Sequence, residues 1–316
     1  MNLISGATGF IGRRLLNSFI EDCFPVRTLS RIPAQFCGDN RVAAGLDDKS
    51  ALITACEGVE SVFHCAGYAH AFASLSGHDA AMHWRVNFEG TQNLLEAAGR
   101  AGVQRFVFLS SVKAMAEPGE VCADEDFPGV PETAYGQSKR AAEEAVVAAG
   151  RRFGMHVVNL RLAMVYGAGG RGNLERMGHL VKRGLFPPLP ETGNHRSLVH
   201  IDDVVSAMRQ VAGDQRAIGK TYIVASKEAP SGRALFNSMR LAYDLLPCNW
   251  AVPASVLWLA ASAGNGLEAL LRRRLPLDRE AVERLLCSAW YSPARIEREL
   301  GWRAQISLAD GLSEML

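Results

Sequence analysis

No apolar run in this chain of 316 residues is long enough to cross a bilayer. The nearest candidate is residues 250–271, where Pro253 and Gly264-Asn265-Gly266 leave about 14 uninterrupted positions against the ~20 that a span requires. A core-facing or surface helix is expected there. Charge of one sign is also missing: 34 basic residues face 33 acidic ones, for a net charge of +1. That balance excludes long-range attraction of nucleic acid or an anionic membrane. The seven cysteines (Cys23, Cys37, Cys56, Cys65, Cys122, Cys248 and Cys287) form no Cys-x-x-Cys pair, and their number is odd. Reduced thiols are expected, rather than a disulfide framework or a zinc site. No repeat or low-complexity tract occurs. A glycine motif begins already at Gly6, which leaves no room for a signal peptide ahead of it and leads to the expectation of a cytoplasmic protein.

What is present is alternation. Short apolar runs at Asn2–Ser5, Val26–Ser30, 61–65, 106–110 and 157–161 predict strands, separated by helical patterns over 11–21, 86–101 and 134–152. The run Phe106-Val107-Phe108-Leu109 is apolar without interruption, as in a strand covered on both faces. Strands alternating with helices predict an α/β fold, a Rossmann-type doubly wound parallel sheet whose ligand crevice lies at the strand carboxyl ends. Past residue 167 glycines and prolines cluster and the pattern changes. Residues 1–167 are therefore read as the dinucleotide-binding domain, with about 194–225 returning to it, and 168–316 mainly as a smaller substrate lobe.

The motif Gly6-Ala7-Thr8-Gly9-Phe10-Ile11-Gly12 sits between the first strand and the first helix. Glycines there permit the tight turn, close approach of backbone to a pyrophosphate, and close packing of helix on strand. The helix N-terminus adds free N–H groups and a positive dipole end. Gly6, Thr8, Gly9, Phe10, Ile11 and Gly12 are thus candidate cofactor residues. After the second strand an NAD enzyme would carry an acid for the ribose hydroxyls, but this chain has Leu29-Ser30-Arg31. Ser30 and Arg31 suit a 2′-phosphate, with Arg13 or Arg14 assisting, so NADP(H) is favoured and NAD(H) stays open.

Tyr135 and Lys139 stand at i and i+4 of a predicted helix, on one face. An adjacent ammonium is expected to lower the phenol toward neutrality. Ser110-Ser111 end the strand before it, placing a hydroxyl where a substrate carbonyl can be held.

With these motifs in this order the chain resembles the extended short-chain dehydrogenase/reductase family, in its nucleotide-sugar epimerase/dehydratase group. The resemblance runs from Asn2 to about Leu312. Besides the motifs above, it is carried by Phe63-His64-Cys65-Ala66-Gly67, Val86-Asn87-Phe88-Glu89-Gly90-Thr91, Leu160-Arg161, Val165-Tyr166-Gly167, residues 196–203 and Glu299-Leu300-Gly301-Trp302. It implies a triad of Ser111, Tyr135 and Lys139, with Ser111 preferred to Ser110. It also implies that Leu46, Cys65, Ala66 and Gly67 line the cofactor, that Asn173 and Arg196 face a nucleotide diphosphate, and that the chain forms a homodimer through the helix bearing Tyr135 and the one before it. The segments 106–113, Gly172-Asn173 and 193–199 look like those of enzymes reducing a UDP-4-keto-6-deoxy-N-acetylhexosamine, and UDP-sugar 4-epimerases share the triad. Three positions depart from the pattern. Ala44-Gly45-Leu46 lacks the usual aspartate before the leucine, with Asp47 or Asp48 as substitutes. Met115 stands where epimerases often have tyrosine, and Ser292-Pro293-Ala294-Arg295 replaces Asp-x-Ser-Lys.

His64, His70, His78 and His83 crowd one region without metal-ligand spacing, so no metal is expected. Residues 68–84 are read as the substrate-side loop, Asn87 as a structural anchor, and Asp203 as a capping or inter-lobe residue. Arg272-Arg273-Arg274 is read as a solvated helix end.

Overall fold

A computed structural model describes residues 1–31, 40–68, 77–170, 172–271 and 279–315. His70, Cys37 and Arg272-Arg273-Arg274 lie outside them.

The chain begins as expected, with strand β1 (Asn2–Ser5), helix α1 (Phe10–Glu21) and strand β2 (Val26–Ser30). There follow β3 (Arg41–Ala43), α2 (Lys49–Cys56), β4 (Ser61–His64), α3 (Gly77–His83), a π-helical turn at Trp84–Glu89, α4 (Gly90–Arg100), β5 (Arg105–Ser111), α5 (Ala134–Phe153) and β6 (His156–Leu162). The second half carries β7 (Met164–Tyr166), α6 (Asn173–Lys182), β8 (Leu198–His200), α7 (Ile201–Gly213), β9 (Lys220–Val224), α8 (Gly232–Ala242), α9 (Ala254–Leu271), α10 (Arg279–Leu286), α11 (Ala294–Leu300) and α12 (Leu308–Met315).

Seven strands form one parallel sheet in the order β3-β2-β1-β4-β5-β6-β9. This is a Rossmann-type doubly wound sheet. Every residue of β4 and β6 is buried, so both faces must be covered. One face packs Leu15, Leu16 and Phe19 of α1 and Val204, Met208 and Val211 of α7 on Ile4, Val107 and Leu160. The other packs Leu52, Leu94, Ala142 and Val146 on Leu3, Phe106 and Phe108. A third apolar cluster joins α6, α8, α9, α10 and α12 through Met177, Phe236, Met239, Leu257, Val282 and Leu312. Strand order reverses between β1 and β4, which opens the crevice at their carboxyl ends.

Several boundaries differ from the sequence expectation. The pattern over 86–101 is not one α-helix. A π turn over Trp84–Glu89 precedes α4, so Asn87 lies off the 3.6-residue period that the pattern assumed. Gly264-Asn265-Gly266 does not break its helix, because α9 runs on through it to Leu271. Its 18 residues still fall short, and among the described residues no helix is long and apolar enough to cross a membrane. Strand β3 leaves no signal in the apolar pattern, because it is three residues long, mostly exposed and at the sheet edge.

Candidate active site

The turn between β1 and α1 is built for close approach. Gly6 has φ +70°, and a Cβ there would sit 2.6 Å from the Ala66 nitrogen. A Cβ on Gly12 would drive into the Gly6 carbonyl. Gly9 stands at the N-cap of α1 and offers no side-chain hydrogen bond, and the first turn of the helix holds no acid. Its N–H groups and dipole are thus left for an external anion, and Thr8 and Gly9 are exposed beside them. These residues fit a dinucleotide pyrophosphate.

The opposite wall, Cys65-Ala66-Gly67, is held by a buried chain of hydrogen bonds. The Thr91 hydroxyl donates to the Asn87 carbonyl at 2.6 Å, so it accepts from His64 Nε2–H at 2.9 Å. His64 Nδ1 then accepts from Ser5 Oγ at 2.5 Å, and Ser5 Oγ takes the Ala66 N–H at 3.4 Å. Complete burial, with the Lys139 charge nearby, pushes His64 down to about 3 and keeps it neutral. Its role is to brace the two loops that flank the crevice.

At the ribose end, Ser30 closes β2 as a buried residue and Arg31 follows it, exposed. Arg14 is withdrawn from the cofactor, because its guanidinium forks onto Asp202 at the start of α7. The substitutes for the missing aspartate are engaged as well. Asp48 caps α2 by accepting the Ala51 N–H at 3.1 Å, and Asp47 pairs with Arg85 at 2.8 Å. Leu46 packs against Gly90, and its carbonyl accepts from Asn93 at 2.9 Å.

The three candidate catalytic side chains come from two elements. Ser111 ends β5, and Thr133 caps α5 by accepting the Gly136 N–H at 3.1 Å, which sets Tyr135 and Lys139 over the end of β5. Burial raises the Tyr135 phenol, and a hydrogen bond with Ser111 works against that. The expected lowering of the phenol by Lys139 is not what governs it. The Lys139 ammonium donates to the Leu109 carbonyl at 2.8 Å and lies 4.7 Å from the Phe108 ring centre. Burial pushes this amine down to about 8, against the favourable charge of Glu143.

Ser110 points elsewhere. Its hydroxyl donates to Glu143 Oε1 at 2.6 Å, and Glu143 is in turn gripped by Arg161 at 3.0 and 2.8 Å. The pairing of this buried carboxylate with Arg161 has no local signal in the sequence. Glu143 follows Lys139 by one helical turn, but its partner Arg161 lies on another element.

In the segment after β4, Asn87 clamps the backbone of Tyr68, accepting its N–H at 2.7 Å and donating to its carbonyl at 3.0 Å. The same side chain donates to Ser138 at 3.1 Å, tying the loop to α5. Arg196 is half-buried, donates to the Cys287 carbonyl at 3.3 Å and bridges Ala289 across the backbone. Asn173 opens α6, and its side chain lies outside the described residues. Asp203 accepts the N–H groups of Gln305 at 2.8 Å and Ile306 at 3.1 Å, fastening a distant segment to α7. Met115 is buried beneath the turn after Ser111. His200, Asp202 and Glu314 converge elsewhere, but Asp202 is already paired with Arg14.

Comparison with known proteins gives a consistent picture. The model of the NAD dependent epimerase/dehydratase family matches residues 2–225. The UDP-glucose 4-epimerase of Vibrio cholerae is 28% identical over 322 aligned residues, covering 99% of this chain and 93% of that protein. The 2-alkyl-3-oxoalkanoate reductase of Stenotrophomonas maltophilia is 26% identical, covering 99% and 97%. Among solved structures, MoeE5 in complex with UDP-glucuronic acid and NAD superposes with a TM-score of 0.78 at 24% identity, over 99% of this chain and 97% of the other.

Proposed function

The chain belongs to the NAD dependent epimerase/dehydratase family and is an NAD(P)-dependent enzyme of the short-chain dehydrogenase/reductase type, and on that premise we propose that it reduces the 4-keto group of a UDP-linked deoxysugar with NADPH in the cytoplasm. The observation that carries the reading is the placing of Ser111 at the end of β5 with Tyr135 and the buried Lys139 of α5 over it, the Lys139 ammonium lying against Gly67 on the wall that faces the glycine turn. Arg196, a half-buried cation, supports a diphosphate-bearing substrate, for which Asn173 is the second candidate contact. Arg31, with no acid after β2, supports NADPH.

A bound nicotinamide supplies the hydride. As the carbonyl carbon is reduced, negative charge gathers on its oxygen. The Ser111 hydroxyl holds that oxygen, and Tyr135 gives it the phenolic proton. Proton transfer leaves a phenolate in a site that disfavours it, since burial raises the phenol. The Ser111 hydrogen bond offsets part of that cost, and Lys139, at about 8 and still an ammonium at neutral pH, would hold the nicotinamide ribose. Residues 1–167, with about 194–225, form the cofactor domain in this reading, and 168–316 mainly the substrate lobe. The protein works as a homodimer through α4 and α5.

The test is purified enzyme with UDP-4-keto-6-deoxy-GlcNAc and NADPH. Consumption of the cofactor is expected, and none would overturn the proposal. A second reading, 4-epimerisation of a UDP-sugar with retained NAD, is favoured by the full-length likeness to the Vibrio cholerae enzyme. It predicts interconversion of UDP-sugar epimers without net loss of cofactor.

A further inference from the structure

Tyr135 has a second neighbour that the chemistry above leaves unused. His83 closes α3, is only 7% exposed, and sets its ring edge against the Tyr135 ring at 5.4 Å between centres. Burial of an imidazole beside a catalytic phenol needs an explanation, because a phenylalanine would fill the space without a polar atom to satisfy.

The hydrogen bonds define its tautomer. Nδ1 lies 3.1 Å from the Tyr68 carbonyl, which can only accept. The nearby Asn87 amide is no alternative partner, since it already donates to that carbonyl and to Ser138 Oγ. Nδ1 therefore carries the proton in this hydrogen bond, and an imidazole with its proton on Nδ1 has an acceptor lone pair on Nε2. Among the described residues Nε2 has no partner. The Tyr68 ring, 4.9 Å away, holds the other side of the imidazole and is itself anchored by its hydroxyl donating to Asp79 at 3.0 Å. The π turn completes the arrangement, placing Asn87 where it pins the Tyr68 backbone on which His83 is oriented. The acceptor is thus fixed in position, not a side chain free to rotate.

Ser111 and Tyr135 act on the reacting oxygen as donors. We propose that His83 is the complementary acceptor, with Nε2 taking a hydrogen bond from a hydroxyl or amide N–H on the carbon next to the reacting one, so that the site selects α-hydroxy or α-amido ketones over plain ketones. Sugars carry such a donor and simple ketones do not. The inference rests on the nucleotide-sugar reading for its substrate but not for its chemistry, because the preference can be read on any ketone the enzyme reduces.

The experiment compares matched ketones, UDP-4-keto-6-deoxy-GlcNAc and its 3-deoxy counterpart, with wild type, His83→Gln and His83→Asn. Glutamine puts an acceptor near the position of Nε2, whereas asparagine keeps only the donor to Tyr68. Wild type should prefer the hydroxylated ketone roughly tenfold in kcat/KM, the effect of one hydrogen bond. His83→Gln should keep most of that preference. His83→Asn should lose it through KM, with NADPH binding by fluorescence unchanged. Equal use of both ketones by wild type, or an undiminished preference in His83→Asn, overturns the proposal. So does a parallel loss of NADPH binding in both variants, which would make His83 a brace for Tyr68 only. If wild type reduces neither sugar, the nucleotide-sugar reading fails by itself, and cyclohexanone against 2-hydroxycyclohexanone then tests the acceptor.

Discussion

Replacing Lys139 by methionine should make the protein more stable while it destroys turnover. The amine is 5% exposed and is lowered from 10.5 to about 8 by burial, with Glu143 already working in its favour. That gap corresponds to about 3 kcal/mol at neutral pH, at roughly 1.4 kcal/mol per pH unit. Methionine keeps most of the stem's packing but leaves the Leu109 carbonyl without its donor, which costs about 1 kcal/mol. A net gain of about 2 kcal/mol follows, or a few degrees in Tm for a chain of this size. The pH dependence is the sharper part. The folded value lies below the unfolded one, so between about 8 and 10.5 the unfolded chain holds the extra proton and wild-type stability rises with pH. The advantage of Lys139→Met should therefore be full near pH 7 and shrink to about 1 kcal/mol or less by about pH 9.5. Thermal unfolding of both proteins at the two pH values measures it. A variant less stable than wild type at pH 7, or a difference that stays flat with pH, would refute the account of a strained buried ammonium.

Two further predictions follow from the same geometry. Glu143→Ala leaves the Arg161 guanidinium buried without its carboxylate, so stability should fall by about 3–5 kcal/mol in denaturant unfolding. A loss below about 1 kcal/mol would mean that Arg161 finds water instead. Arg31→Ala should raise KM for NADPH roughly tenfold and leave KM for NADH unchanged, in line with one charge-assisted contact to a phosphate. Equal effects on both cofactors would remove the basis for NADP preference.

What the sequence could reveal was local. The glycine turn, the apolar run of β5 and the Tyr-x-x-x-Lys pair each lie within one turn or strand, so their spacing carries their geometry. Strand β3 has too little length and burial to stand out, and the π turn at Trp84–Glu89 has no periodic signature of its own. The partners of the site were less legible still. Lys139 was expected to serve Tyr135 because the two share a helix face, yet its ammonium settles on a carbonyl 30 residues away. Glu143 and Arg161 meet across 18 residues and two elements, with nothing in either local pattern to announce it. Asp47 and Asp48 stood close enough in sequence to replace a missing aspartate, but a helix cap and an ion pair claim them. His83, grouped by position with three other histidines, gains meaning only from the Tyr68 carbonyl and the ring of Tyr135.

The central claim is that the Tyr135 phenol gives the reacting oxygen its proton. Single-turnover oxidation of NADPH by Tyr135→Phe, with the keto-sugar at saturation and cofactor binding confirmed by fluorescence, tests it most directly. The account predicts a rate about 10²–10⁴-fold below wild type with the cofactor still bound. Oxidation at the wild-type rate would contradict it.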